Sequence, residues 1–317
     1  MKELIAPVPV EQIMAELTPE RFVRTTNYGG NQIYILDNNN SPMILRELGR
    51  LREEAFRAAG GGTGKELDLD AYDLSENPYQ QLIVWDPSSR EILGGYRFKL
   101  LGSSTRDADG KYQLATGKLF HFDEKFQEEY LPYTIELGRS FVQVHYQASA
   151  AGRKSLFSLD NLWDGLGAMC VLYPDMKYFF GKVTMYPHFD KDSRDLLLYF
   201  MKTVCNDPDQ LIVPHQPLPF HGDVSQYAEL FNGADYLDNY KILVREMRSR
   251  GNNVPPLINA YLNISSTLRS FGTTLNLTFG EVEETGILVT IADIYPEKRK
   301  RHVSTFNPNE QQPSLEA

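Results

Sequence analysis

Apolar residues recur along this chain with two periods, and the change of period marks out its elements. In MILRELGRLREEAFRAA, from residue 43, Ile44, Leu45, Leu48, Leu51, Ala55 and Phe56 return at helical spacing. Ser41 is placed to cap that helix and Pro42 to open its first turn. FVRTTNYGGNQIYILD (22–37) reads as strand, Gly-Gly turn and strand, and QQLIVWD and ILGGYRFKLLG, parted by PSSRE, as an antiparallel hairpin. From about Ser155 a helix carries Leu156, Leu159, Leu162, Trp163, Leu166 and Met169 on one face. YFFGKVTMY (178–186) is strand-like and SRDLLLYFMKTVC (193–205) helix-like. Later stretches predict a helix over DYLDNYKILVREMRSR, a short helix after Pro255-Pro256, and strands at TTLNLTF and GILVTIADI. Strands interleaved with helices imply a mixed α/β sheet.

Three stretches break the pattern. GGGTGKELDLDAYDLSENPY (60–79), glycine-rich and then acidic, predicts a mobile loop near a site. The Pro-rich NDPDQLIVPHQPLPFH (206–221) is the best internal boundary. The expected organisation is therefore a core over 1–205 and a C-terminal α+β extension over 206–304 that completes or covers the site. A disordered tail is expected over 305–317.

Composition narrows the class. The chain has 317 residues, 42% hydrophobic and 23% charged, which is ordinary for a globular protein. Its net charge of −10 argues against a general nucleic-acid binder. No stretch approaches the roughly 20 apolar residues of a membrane span, and the first residues lack a signal-peptide core. The expected location is cytoplasmic, with the inner membrane face as an alternative through the basic run Lys298, Arg299, Lys300, Arg301 and His302. Cys170 and Cys205 form neither a disulfide framework nor a metal cluster, and Cys170 reads as a buried structural thiol. The six histidines show no metal-ligand spacing, GGGTGK lacks the spacing of a phosphate loop, and no Gly-x-Ser-x-Gly elbow is present. No metal and no tightly bound cofactor are expected.

TIELGRSFVQV (134–144) is the unusual stretch. Thr134, Ile135, Phe141, Val142 and Val144 suit a strand, yet Glu136 and Arg139 lie inside it around Gly138. A charge on the buried face of a strand is costly unless paired or used. Arg52, Arg97, Asp68, Asp70 and Asp73 are further charges close to apolar elements, and structural ion pairing would account for them as readily as chemistry.

The order of these residues carries a resemblance. Arg52 and Phe56 form Arg-x-x-x-Phe on a helix, Asp70 and Asp73 follow, then Gly95-Tyr96-Arg97 on a strand, Phe120, and Glu-Leu-Gly-Arg-Ser from Glu136 to Ser140. The chain resembles the acyl-carrier-protein-dependent N-acyltransferases of the GNAT superfamily. It looks like the haemolysin-like branch that makes ornithine lipids and N-acyl-glycine lipids, related to acyl-homoserine-lactone synthases. The resemblance covers about 45–205 well and implies a mixed, mostly antiparallel sheet flanked by helices. It also implies transfer of a long-chain, in some members 3-hydroxylated, acyl group to the amine of an amino acid such as glycine or ornithine. Acyl carrier protein is the implied partner and donor, with a coenzyme A thioester as the alternative donor. The alternative functions are a coenzyme A-dependent acetyltransferase acting on a small amine, or a non-enzymatic lipid-binding module on the same fold. Glu136 would be the base, with Arg97 and Arg139 orienting it. Arg52, Phe56, Asp70, Asp73, Phe120, Ser140 and Phe141 would bind substrate. The coenzyme A turn of common relatives is replaced by Ser149-Ala150-Ala151-Gly152-Arg153-Lys154-Ser155, where Gly152, Arg153 and Lys154 could meet the phosphopantetheine. Phe120, Phe122, Phe141, Trp163, Tyr178, Phe179 and Phe180 are candidate walls of an acyl tunnel, or plain core.

Overall fold

In the computed structural model, residues 1–107, 110, 112–147 and 153–309 are described, the side chains of 153–156 excepted. Along the chain run α1 (Val10–Glu16), β1 (Phe22–Thr25), β2 (Gln32–Leu36), α2 (Pro42–Ala58) and α3 (Ala71–Leu74). Then come β3 (Gln80–Asp86), β4 (Glu91–Leu100), β5 (Phe120–Phe122), β6 (Thr134–Val142), α4 (Arg153–Leu172) and β7 (Tyr178–Met185). The remainder is α5 (Lys191–Thr203), β8 (Ile212–Pro214), α6 (Tyr236–Ser249), α7 (Pro256–Leu262), β9 (Arg269–Asn276), β10 (Val282–Thr290) and α8 (Pro296–Lys298). The fold is mixed α/β, its strand pairs mostly antiparallel and flanked by helices.

The chain does not divide at residue 205. One compact unit gathers Met1–Lys99, Leu137–Met176 and Pro296–Ala317, and a second gathers Leu100–Glu136 and Lys177–Tyr295. The chain returns to each unit because distant segments pair as strands or pack on shared helices, which composition along the chain does not reveal.

In the first unit β1, β2, β3 and β4 follow one another as antiparallel neighbours. The 137–142 part of β6 lies beside β4, where the Gln143 N–H donates to the Leu93 carbonyl at 2.9 Å. Gly94 and Gly95 permit this packing. A Cβ on Gly94 would stand 2.5 Å from the Phe141 carbonyl oxygen, and one on Gly95 2.5 Å from that of Leu82. α4 packs by Gly165, where a Cβ would lie 2.7 Å from Leu82. α2 begins where the sequence predicts, with Pro42 in its first turn, but Ser41 makes no side-chain cap bond. Glu16, at the end of α1, serves instead: its carboxylate accepts from the N–H of Met43 at 3.1 Å and of Ile44 at 2.8 Å.

In the second unit β7 pairs with β10 and β10 with β9, both antiparallel. The 134–136 part of β6 pairs with β7 in parallel through Thr134↔Tyr178, Ile135↔Phe179 and Glu136↔Phe180. Phe120, Phe122, Phe126, Phe180 and Phe271 form a buried cluster with Leu131, Ile212 and Leu288. Phe120 and Phe122, from β5, and Phe180, from β7, are thus packed side chains of a core, which is the bland alternative for these tunnel candidates.

Residues 305 and 306 do not belong to the disordered tail expected over 305–317. Phe306 is buried, and Arg24 donates to the Thr305 side chain at 3.3 Å, so 305–306 belong to the first unit's packing. Residues 310–317 lie outside the described residues.

Candidate active site

The acidic loop is tied down at both ends. Glu53 on α2 accepts from Thr63 N–H at 2.9 Å, the Thr63 hydroxyl at 2.8 Å and Gly64 N–H at 2.7 Å, gathering the glycine-rich half. Beyond it, Asp70 caps α3 by accepting from the N–H groups of Tyr72 and Asp73, while the Asp73 carboxylate accepts from the Asp70 N–H. Two carboxylates are thereby fixed by a turn of four residues before any partner is counted. The loop expected to be mobile is instead ordered by these donors.

Three arginines from three elements of the first unit converge on it. Arg52 of α2 meets Asp73 at 2.9 Å and Asp68 at 3.4 Å. Arg97 of β4 meets Asp70 at 2.8 Å and Asp73 at 3.0 Å. Arg139 of β6 meets Asp68 at 2.8 Å and Asp70 at 3.8 Å. Gln81 of β3 adds a donor to Asp73 at 3.0 Å. Positive and negative charges balance, as buried ions require. Burial by itself would raise the Asp73 carboxyl, but Arg52 and Arg97 outweigh it and hold the group far below the usual carboxylate range. Asp70 is shifted down likewise, burial being overcome by Arg97. Burial opposes the charge on Arg97, and Asp73 and Asp70 more than restore it, raising its pKa. Asp70, Asp73 and Arg97 therefore stay ionised at neutral pH. Side chains of Arg52, Asp68 and Asp73 are at most 1% exposed, whereas Arg139 is 14% and Asp70 30% exposed, so solvent reaches the cluster at those two residues.

Arg139 also has unusual backbone. Its φ is +53°, a left-handed conformation that costs a non-glycine residue about 1–3 kcal/mol and often marks a functional turn of the chain. Gly138 beside it needs no such freedom: a Cβ there would make only ordinary contact, 3.7 Å from Arg97 Nε. Ser140 is half-buried, and Phe141 and Phe56 are buried.

Glu136 lies in the second unit and is 1% exposed. Its Oε1 accepts from the Thr116 N–H at 3.0 Å and from the Thr116 hydroxyl at 2.6 Å. One residue thus fixes the carboxylate with two donors. Nothing in the sequence singled out Thr116, which is 20 positions away and in no element. Gln81 was more legible, as an amide leading directly into the apolar run Leu82–Trp85 of its strand. Phe120, also of the second unit, stands in the aromatic core.

Gly152 lies outside the described residues, as do the side chains of Arg153 and Lys154, whose backbone opens α4. The basic run is partly committed to packing. Arg301 pairs with Asp160 at 2.8 Å, and His302 is buried with its Nδ1 2.7 Å from Asp164. Burial pushes the Cys170 thiol up to about 11 and that of Cys205 to about 12, as suits structural thiols. No helix among the described residues is long and apolar enough to cross a membrane.

The mixed, mostly antiparallel fold is of the GNAT type, and residues 51–154 match the acetyltransferase (GNAT) domain. The chain is 54% identical to a glycine N(alpha)-acyltransferase of Bacteroides thetaiotaomicron over 96% of this chain and 91% of that protein. It is 52% identical to a glycine N(alpha)-acyltransferase of Phocaeicola vulgatus over 96% of this chain and 94% of that one. It belongs to the same acyltransferase family as these two enzymes. The structure of FeeM, an N-acyl amino acid synthase from uncultured soil microbes, shares 9% identity and a TM-score of 0.39 over 83% of this chain and 93% of that one, a likeness too slight to build on.

Proposed function

We propose that this acyltransferase moves a long-chain acyl group from acyl carrier protein to the α-amine of glycine, giving an N-acyl-glycine lipid. The observation that carries the acceptor is the identity of more than half of all positions, along nearly the whole chain, to two glycine N(alpha)-acyltransferases. The donor rests on Ser149–Ser155, which lacks the glycine-rich turn that common relatives use for coenzyme A. In this reading Gly152, Arg153 and Lys154 meet the phosphopantetheine phosphate.

The chemistry assigns each residue a task. The amine lone pair attacks the thioester carbonyl carbon, the tetrahedral adduct collapses, the C–S bond breaks, and the sulfur leaves as thiol with the proton the nitrogen gives up. A peptide's terminal amine, of pKa near 8, needs only about 1.4 kcal/mol to deprotonate at pH 7. Free glycine, with its own carboxylate beside the ammonium, is a weaker acid and needs more, so a well-placed base is required. Glu136 is that base, its Oε1 occupied by Thr116 and its carboxylate thereby oriented. Arg139, at the solvent-reached end of the ion-pair cluster, attracts the glycine carboxylate, while Arg97, Arg52, Asp70 and Asp73 hold Arg139 and its neighbours in place. The left-handed turn at Arg139 changes the direction of the adjacent N–H groups, a local feature suited to an oxyanion.

Lipid mass spectrometry of cells expressing the chain, beside a Glu136→Gln control, tests acceptor and base together. An amide-linked glycine lipid should appear with the parent sequence and not with the variant. A different amine in the lipid would refute the acceptor. Equal turnover of acyl-coenzyme A and acyl carrier protein, at the same chain length and with purified protein, would refute the donor.

A further inference from the structure

In the second unit Glu136 is oriented by Thr116, which is buried and lies in a loop rather than in a helix or strand. What holds that loop therefore decides how the carboxylate is aimed. The Thr116 carbonyl accepts from the N–H groups of Leu119 at 2.9 Å and Phe120 at 3.1 Å, closing residues 116–120 into a tight turn. Past the turn, the Phe120 ring fits over Gly286 of β10, where a Cβ would stand 3.2 Å from it. One end of the turn is thus seated in the aromatic core.

The other side of the turn is held from β8. His215 follows that strand, and its backbone N–H donates to the Leu119 carbonyl at 3.0 Å, extending the β5–β8 pairing past Phe120↔Pro214. Its side chain reaches further back, to place Nε2 3.0 Å from the Gly117 carbonyl oxygen. A carbonyl oxygen only accepts, so Nε2 carries the proton and donates. Gly117 directly follows Thr116, and glycine has the widest backbone freedom of any residue. A donor fixed on its carbonyl therefore restrains the turn where it is loosest, one residue from the groups that hold Glu136.

We propose that His215 is a positioning residue for acyl transfer, bracing the 116–120 turn so that Thr116 presents its N–H and hydroxyl to Glu136. The brace comes from the Pro-rich stretch 206–221, which composition alone marks as a boundary. The inference rests on the reading of Glu136 as the base.

Steady-state thiol release by the full chain tests it, with glycine and hexadecanoyl-acyl carrier protein or hexadecanoyl-coenzyme A, whichever turns over faster. His215→Ala should lower kcat about two- to tenfold, the effect of losing one hydrogen bond, with KM for glycine and donor nearly unchanged. The ring is exposed, so the melting temperature should stay close to the parent value. His215→Gln, whose amide N–H can reach the same carbonyl, should restore most of the rate. In a Glu136→Gln background His215→Ala should leave the residual rate within about twofold, because no base remains to be aimed. Four results would overturn the proposal while leaving Glu136 as the base. These are an unchanged kcat in His215→Ala, a rise in KM in place of the fall in kcat, an equal loss in His215→Gln, or an undiminished loss in the Glu136→Gln background. Parent-level turnover in Glu136→Gln alone would instead overturn the base, and the role of His215 with it.

Discussion

Two donors from one threonine decide what Glu136 can be. Held on Oε1 by the Thr116 N–H and hydroxyl, the carboxylate has one orientation, whereas the same acid on an open strand would sample several rotamers. Glu136→Gln should cut kcat by about 10²–10⁴-fold at nearly unchanged melting temperature, read as thiol release. Thr116→Val removes the hydroxyl donor while keeping the shape. In the proposed reading Thr116 positions the base, so Thr116→Val should lower kcat while leaving KM for the acyl donor nearly unchanged, and Thr116→Ser should restore most of the rate. Equal loss in Thr116→Ser and Thr116→Val would show that packing of the methyl group matters and the hydrogen bond does not. Asp73 illustrates a different dependence. Arg52 and Arg97 both rest on it in a site from which water is excluded, so Asp73→Asn should destabilise by about 3–5 kcal/mol in urea unfolding.

At the scale of elements, glycine has two separate meanings in this chain. Gly94 sits where a Cβ would collide with a neighbouring strand's carbonyl at 2.5 Å, while Gly138 has room for one. Gly94→Ala should therefore cost about 1–3 kcal/mol, and Gly138→Ala should leave stability close to the parent value, both by thermal melting. The glycine in the unusual strand is thus no steric necessity, and the strained position is the arginine after it. Helix boundaries show a similar division of labour. The apolar spacing of α2 is visible in the chain, but its N-terminal N–H groups are satisfied by Glu16 of another element rather than by the adjacent Ser41.

For the whole molecule, the depressed acids set an acid limit on stability. Asp73 and Asp70 titrate below their ordinary 3.8 when folded, so the stability they contribute is complete above that value and is lost as pH falls through the folded values. Unfolding free energy should be level from neutral pH to about 5 and fall steeply below about 4, and Asp73→Asn should flatten that fall. The C-terminal segment is also part of the first unit. His302 binds Asp164, and Asn27 donates to the same carboxylate at 2.7 and 2.8 Å. His302→Ala should cost about 1–3 kcal/mol through the carboxylate it leaves under-satisfied, a loss seen by calorimetry without change in KM.

What the sequence by itself determined is local and periodic: the helical face of α2, the β3–β4 hairpin, the strands β7, β9 and β10, and the order Arg52, Asp70, Asp73, Arg97, Glu136, Arg139. Side-chain period follows from backbone geometry within a few residues, so it can be read without knowing the partner. Tertiary structure decided the rest. It brought Arg52, Arg97 and Arg139 onto one set of aspartates, ordered a glycine-rich loop through Glu53, and gave Glu136 its threonine. It also divided the chain into units that each draw on separated segments. These outcomes depend on which buried donors meet which buried acceptors across long separations, and the need to satisfy every buried charge acts only once the chain has closed on itself.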